Sequence, residues 1–172
     1  MSALGAKARR AVIPPPRPLR NKVSPGGPSL AEIVERAETA LARMTDEYAE
    51  TAREDLAELD AALAAIKAAA SDAVRAEALG RVYRLAHEMR TQGGTFDYPL
   101  ITRIGSSLCA FIEAHGDKAA ERWEVIETHG YAMRAVLAGR VTGYGGKIGR
   151  ELVADIEAMV AKAVARMAKT DT

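Results

Sequence analysis

The chain has 172 residues, with Lys+Arg 24 against Asp+Glu 23 and only 5% aromatic residues. That length is enough for one domain with a proper core, and the balanced charge gives no global attraction to nucleic acid or to an anionic membrane. Few aromatics and abundant Ala, Leu, Glu and Arg favour helix and disfavour a β-sandwich or barrel, and no run approaches the roughly 18–20 apolar residues of a membrane span.

No apolar signal core follows Met1, so the expectation is a soluble, cytoplasmic chain. The single cysteine, Cys109, has no internal disulfide partner and falls within an apolar helical pattern. It reads as a buried structural thiol rather than a nucleophile.

Residues 1–28 differ from the rest. They carry Lys7, Arg9, Arg10, Arg17, Arg20 and Lys22 and no acidic residue. Pro14, Pro15, Pro16, Pro18, Pro25 and Pro28 break any helix, and Gly26-Gly27 adds freedom. The prolines also spoil the amphipathic helix of a transit peptide. The expectation is a disordered, basic, Pro-rich tail, either a solubilising extension or a segment that docks on an acidic partner.

A helical domain over residues 29–169 is expected to follow. Ser29-Leu30-Ala31-Glu32 has the form of a capping box, and the helix it opens runs to about Met44. Thr45-Asp46 then either starts a second helix or is passed through. Leu56, Leu59, Leu63 and Ile66 form one buried stripe at steps of three and four. Ser71-Asp72 caps the next helix, whose stripe is Leu79, Val82, Ala86, Met89, Gly93 and Phe96. At about 100° per residue His87 sits roughly 130° from the centre of that stripe and faces solvent. Tyr83, Arg90, Thr91 and Gly94 neighbour it. Gly93 and Gly94 each cost a helix roughly 1 kcal/mol relative to alanine. Close helix approach explains Gly93, on the seam, better than Gly94, on the histidine side.

Asp97-Tyr98-Pro99 ends this helix, since a residue before proline avoids helical geometry. Ile101, Ile104, Leu108 and Phe111 point inward from the next, which stops near His115-Gly116. Asp117 caps a helix that buries Trp123, Ile126, Gly130, Met133 and Leu137. Gly143-Tyr144-Gly145-Gly146 makes a turn, and the last helix carries Ile148, Leu152, Ile156, Met159 and Ala163. No segment alternates like a strand. The fold class is all-α: an antiparallel up-and-down bundle with a four-helix core plus one or two N-terminal helices.

On these residues the chain resembles the histidine-containing phosphotransfer (HPt) domain family, including the version at the start of the chemotaxis kinase. Ala86-His87 matches the family's Ala-His pair, and Arg90 stands at its lysine. Gly93-Gly94-Thr95-Phe96 matches its run of small residues followed by a hydrophobic one. The bundle from about Asp46 to Met167 is similar to the family's architecture. Three positions depart from it. Thr91 stands where the family has glycine, Gln92 replaces a smaller residue, and Asp97 replaces a later glycine.

The resemblance implies that His87 accepts a phosphoryl group, by family analogy on Nε2, and that Arg90 steadies the phosphoryl oxygens. It implies a docking face of Tyr83, Glu88, Thr91 and Gly94, with Met89 and Phe96 in the core. The partners implied are response-regulator receiver domains and a sensor (hybrid) histidine kinase. The chain would be a monomeric phosphoryl carrier with no cofactor of its own, Mg²⁺ being supplied by the receiver.

His87-Glu88-Met89-Arg90-Thr91 also resembles the H-box of sensor histidine kinases, in which the residue at Glu88 assists as general base. The Pro-Leu that follows there is missing, and an ATP-binding domain does not fit in this chain. The kinase-derived alternative is a dimeric phosphotransfer bundle. A further alternative is a non-catalytic helical adaptor, which Thr91 and Gln92 favour. Gly143-Tyr144-Gly145-Gly146-Lys147 is not a Walker loop, because Val141 and Ile148 occupy its glycine and Ser/Thr places. Thr91 stands where a zinc-protease motif needs its second histidine. His115 reads as a helix-end residue favoured by the dipole and His129 as structural; with Cys109 they form no metal spacing.

Overall fold

The structure, a computed structural model, describes residues 27–170. The basic tail expected over residues 1–28 therefore lies, but for Gly27 and Pro28, outside the described residues. The described residues form an all-α bundle with no strand among them. Its helices are α1 (Leu30–Ala68), α2 (Asp72–Gly93), α3 (Pro99–His115), α4 (Trp123–Ala138) and α5 (Gly146–Thr170). A 3-10 segment, Gly116–Arg122, precedes α4.

The described residues divide between Thr39 and Ala40 into two units. In the first, the capping box forms as the sequence predicts. The Ser29 backbone N–H donates to Glu32 Oε2 at 2.6 Å, and Glu32 N–H donates to Ser29 Oγ at 3.3 Å. The bond from the Ser29 backbone N–H favours the ionised carboxylate and holds the Glu32 pKa below its ordinary value.

The second unit holds the core. Thr45-Asp46 does not interrupt α1, because the Thr45 hydroxyl donates back to the Leu41 carbonyl at 3.0 Å instead of capping a new helix. One long helix thus replaces the two that were possible. From Tyr48 onward it contributes to the core, with Leu56, Leu59, Leu63 and Ile66 all buried.

Ion pairs give the topology. Asp46 meets Arg140, Asp60 meets Arg134 and Lys67 meets Glu127, so α4 runs antiparallel to α1. Tyr83 on α2 bonds Glu113 while Arg90 bonds Thr102, so α3 runs antiparallel to α2. Burial forms two layers. One gathers Leu59, Val82, Leu108 and Ile126, and the other gathers Leu56, Met89, Ile101 and Met133. At an end of the second layer Phe96 stacks on Tyr48, with ring centroids 4.9 Å apart.

Two segments differ from the sequence expectation. Asp117 does not open α4, because Gly116–Arg122 winds as a 3-10 turn that buries the small residues Ala119 and Ala120. Trp123, at the start of α4, is only half-buried, with Lys67 Nζ 3.8 Å from its ring centre. In α5, Ile148 is 73% exposed, while Val153 and Ile156 are buried. Gly149 sets that rotation: a Cβ there would clash with the Tyr144 carbonyl, so position 149 faces inward and Ile148 faces out. The turn before it forms as predicted. Gly145 takes φ 63 with Leu100 and Val141 side chains 2.9 Å from where a Cβ would stand.

Candidate functional site

Ser71 opens α2 in extended geometry, with its Oγ accepting from Val74 N–H at 3.4 Å. From there Leu79, Val82, Ala86, Met89 and Gly93 fall on the buried side. His87 follows Ala86 and so lies off the stripe. It is half-buried rather than fully open to solvent. Tyr83, one turn earlier, covers part of it, with ring centroids 6.2 Å apart. Among the described residues no hydrogen bond engages either imidazole nitrogen.

The neighbouring residues divide into those that fix the face and those that leave it open. The Tyr83 hydroxyl donates to Glu113 Oε1 at 2.6 Å, tying α2 to the last turn of α3. That bond retains the phenolic proton and raises the Tyr83 pKa. The Arg90 backbone is clamped, with its carbonyl accepting from Thr102 Oγ1 at 2.9 Å. Gly105 makes the clamp possible. A Cβ there would stand 2.9 Å from the Ala86 carbonyl oxygen and 3.0 Å from Arg90 Cβ. No hydrogen bond or ion pair among the described residues takes up the Arg90 guanidinium.

Thr91 turns its hydroxyl back onto its own helix, donating to the His87 carbonyl at 3.1 Å and to the Glu88 carbonyl at 2.8 Å. Its polar group is thereby occupied. Gly93 is required by packing, since a Cβ would lie 2.9 Å from the Tyr98 carbonyl oxygen. Gly94 is not, because its nearest neighbour would be Thr102 Oγ1 at 3.5 Å, an ordinary contact. The bundle itself does not require a glycine there.

Glu88 separates from this group. It lines a groove between α1 and α2 with Glu58, Arg84 and Leu85. Asp55, half-buried beside that groove, has a raised pKa through burial first and then the charges of Glu88, Glu58 and Glu54. The structure thus gathers Tyr83, His87, Arg90, Thr91 and Gly94 along one side of α2 and turns Glu88 toward α1. Thr102, Gly105 and Glu113 join the site from α3 and were missed in the sequence. Gly105 carried a signal, being a glycine beside Ile104 in an apolar helical stripe. Glu113 carried none.

In the turn after α2, Asp97 has φ 62, a left-handed conformation that glycine adopts at least cost. Aspartate is among the side chains that tolerate it.

The other histidines are engaged. His129 is fully buried, with Nδ1–H donating to the Val125 carbonyl at 2.7 Å and Nε2 accepting from Ser107 Oγ at 3.0 Å. Burial lowers its pKa. His115 closes α3 with Nδ1 2.8 Å from the Phe111 carbonyl oxygen. Cys109 is a buried free thiol whose pKa burial raises. No group of three or more His, Cys, Asp or Glu among the described residues is arranged to hold a metal ion. No helix among them is long and apolar enough to cross a membrane.

An imidazole with both nitrogens unengaged among the described residues, one turn from a guanidinium with no counter-ion among them, can accept an anionic electrophile and steady its oxygens. Comparison with models of known families, with curated proteins and with solved structures gives no match.

Proposed function

We infer that the chain is a histidine phosphotransfer protein, a cytoplasmic carrier between receiver domains of a two-component relay. The observation that carries this reading is the side of α2 on which, among the described residues, nothing bonds the His87 ring nitrogens or the Arg90 guanidinium. Gly94, which the fold does not need as glycine, leaves that side uncovered.

In the proposed reaction an imidazole nitrogen of His87 attacks the phosphorus of a receiver aspartyl phosphate. The N–P bond forms as the P–O bond to aspartate breaks, and the carboxylate leaves. Arg90 offers N–H donors to the phosphoryl oxygens, whose charge persists through transfer. The acidic pocket and Mg²⁺ belong to the receiver. Return of the group to a second receiver reverses these steps. Tyr83 acts at one remove, by holding the α2–α3 face through Glu113.

The test is incubation with a panel of phosphorylated receivers, read as acid-labile, base-stable phosphate on the chain. The wild type is expected to label and His87→Gln to stay at background. Equal labelling of both would assign the chemistry to another residue. No labelling of either would favour the second reading, a helical adaptor that binds a receiver or kinase without accepting phosphate. Thr91 supports that second reading, because its methyl group remains one turn above His87 where the resembling family has none.

A further inference from the structure

A second cavity lies on the α4–α5 side of the bundle, with no α2 residue in its lining. It has a volume of about 330 Å³ and is walled by the first turn of α4 and the middle of α5. That is the lower end of the range for small-molecule sites, and far too small for a folded partner. Its charges are sorted along its length. Arg122 stands at one end with Lys162 and Arg166, because the start of α4 shares a layer with Met159 to Met167 and its end shares one with Leu152 to Ile156, so the two helices run antiparallel. Asp155 lies seven residues before Lys162, about 10 Å along the helix axis. Val125, Met159 and Ala163 make the floor between them apolar. Glu124 completes the rim, and no ion pair joins either carboxylate to Arg122 or Lys162.

Arg122 supplies the second observation. Its Nε is buried and has no hydrogen-bond acceptor among the described residues. A buried donor without an acceptor is costly, and such groups in native proteins usually meet a partner from outside the chain. Lys162, exposed at the rim, is joined to no acceptor among the described residues. Both are cations, so the partner that satisfies them best is an anion.

We propose that this cavity binds a small organic anion, a carboxylate or phosphate head held by Arg122 and Lys162 with an apolar body on Val125, Met159 and Ala163. Asp155 repels a negative group at the far end and so fixes the orientation. The site is independent of His87, and its occupancy does not require the relay reading.

The experiment is an amide chemical-shift titration of the full chain with three probes: hexanoate, butyl phosphate and uncharged hexanol. Hexanoate or butyl phosphate, or both, are expected to shift the amides of Val125, Met159 and Ala163 saturably, while hexanol does not. Which of the two binds tighter distinguishes carboxylate from phosphate as the natural head group. Arg122→Gln should weaken binding on the order of tenfold or more, the value of a hydrogen bond to a charged group. Lys162→Gln, an exposed change that leaves the fold intact, should weaken it in the same direction. The proposal is overturned if neither anion gives saturable shifts at these amides, if hexanol binds as well as the anions, or if Lys162→Gln binds both anions like wild type.

Discussion

His87 and His129 are the same side chain in opposite settings. His129 lies between α3 and α4 with both nitrogens bonded and no exposed surface. His87 lies half-open on α2 with neither nitrogen bonded among the described residues. One has its chemistry used up by the fold, and the other has its chemistry left over. The fold around His87 is nevertheless tight, since Gly105 and Thr102 clamp the backbone of Arg90. A packed helix carrying an unengaged imidazole is what the proposed transfer, which works by positioning, needs.

The contrast can be broken from the side of the fold first. Removing His129 should cost most. His129→Ala empties a buried volume and leaves the Val125 carbonyl and the Ser107 hydroxyl without their partner, for a loss of about 2–4 kcal/mol. Urea denaturation measures it. Next is Gly105→Ala, whose methyl meets backbone on α2 and forces the two helices apart. A loss of about 1–3 kcal/mol is expected from overpacking, with weakened receiver labelling because Arg90 shifts.

Acidity sharpens the contrast further. The pKa of His129 is lowered in the fold, so below its ordinary value of 6.5 the unfolded chain binds the proton that the folded chain refuses. Stability contributed by His129 is therefore present above that pH and falls as pH drops through it. The slope is at most about 1.4 kcal/mol per pH unit for one proton. Asp55, with a raised pKa, acts in the opposite sense and only in the carboxylate range. Denaturation midpoints between pH 7.5 and 5.5 should fall for the wild type, and much less for His129→Gln.

The smallest effects on stability belong to the site. His87→Gln and Gly94→Ala should each change stability within about 0.5 kcal/mol, as surface substitutions do. Gly94→Ala should still slow labelling by receivers, because the added methyl stands on the side that docks. A stability loss at His87 comparable with that at His129 would make His87 a structural residue.

Much of this was legible in the chain itself. The α2 stripe could be read because a helix writes its buried face at steps of three and four, which also placed His87 off the seam. The two capping signals, Ser29 and Ser71, formed where expected. The division at Thr45 was not decidable, because a threonine hydroxyl can cap a new helix or bond back into the old one. Ile148 was placed inward by its hydrophobicity, whereas the close approach of Gly149 to Tyr144 sets the rotation of α5. Glu113 could not be found at all. Its role comes from a contact with Tyr83 across two helices, and nothing local marks it.

The central claim is that, of the chain's 3 histidines, the fold leaves His87 to react. Phosphoramidate tests this without any partner protein, since it donates its phosphoryl group to an accessible imidazole and releases ammonia. The modified residue is then located by mass spectrometry at alkaline pH and by the ³¹P resonance of the folded chain. A single phosphohistidine is expected at His87, with His129 unmodified until the protein unfolds. Modification of His115 or His129 ahead of His87, or none at His87, would contradict the account.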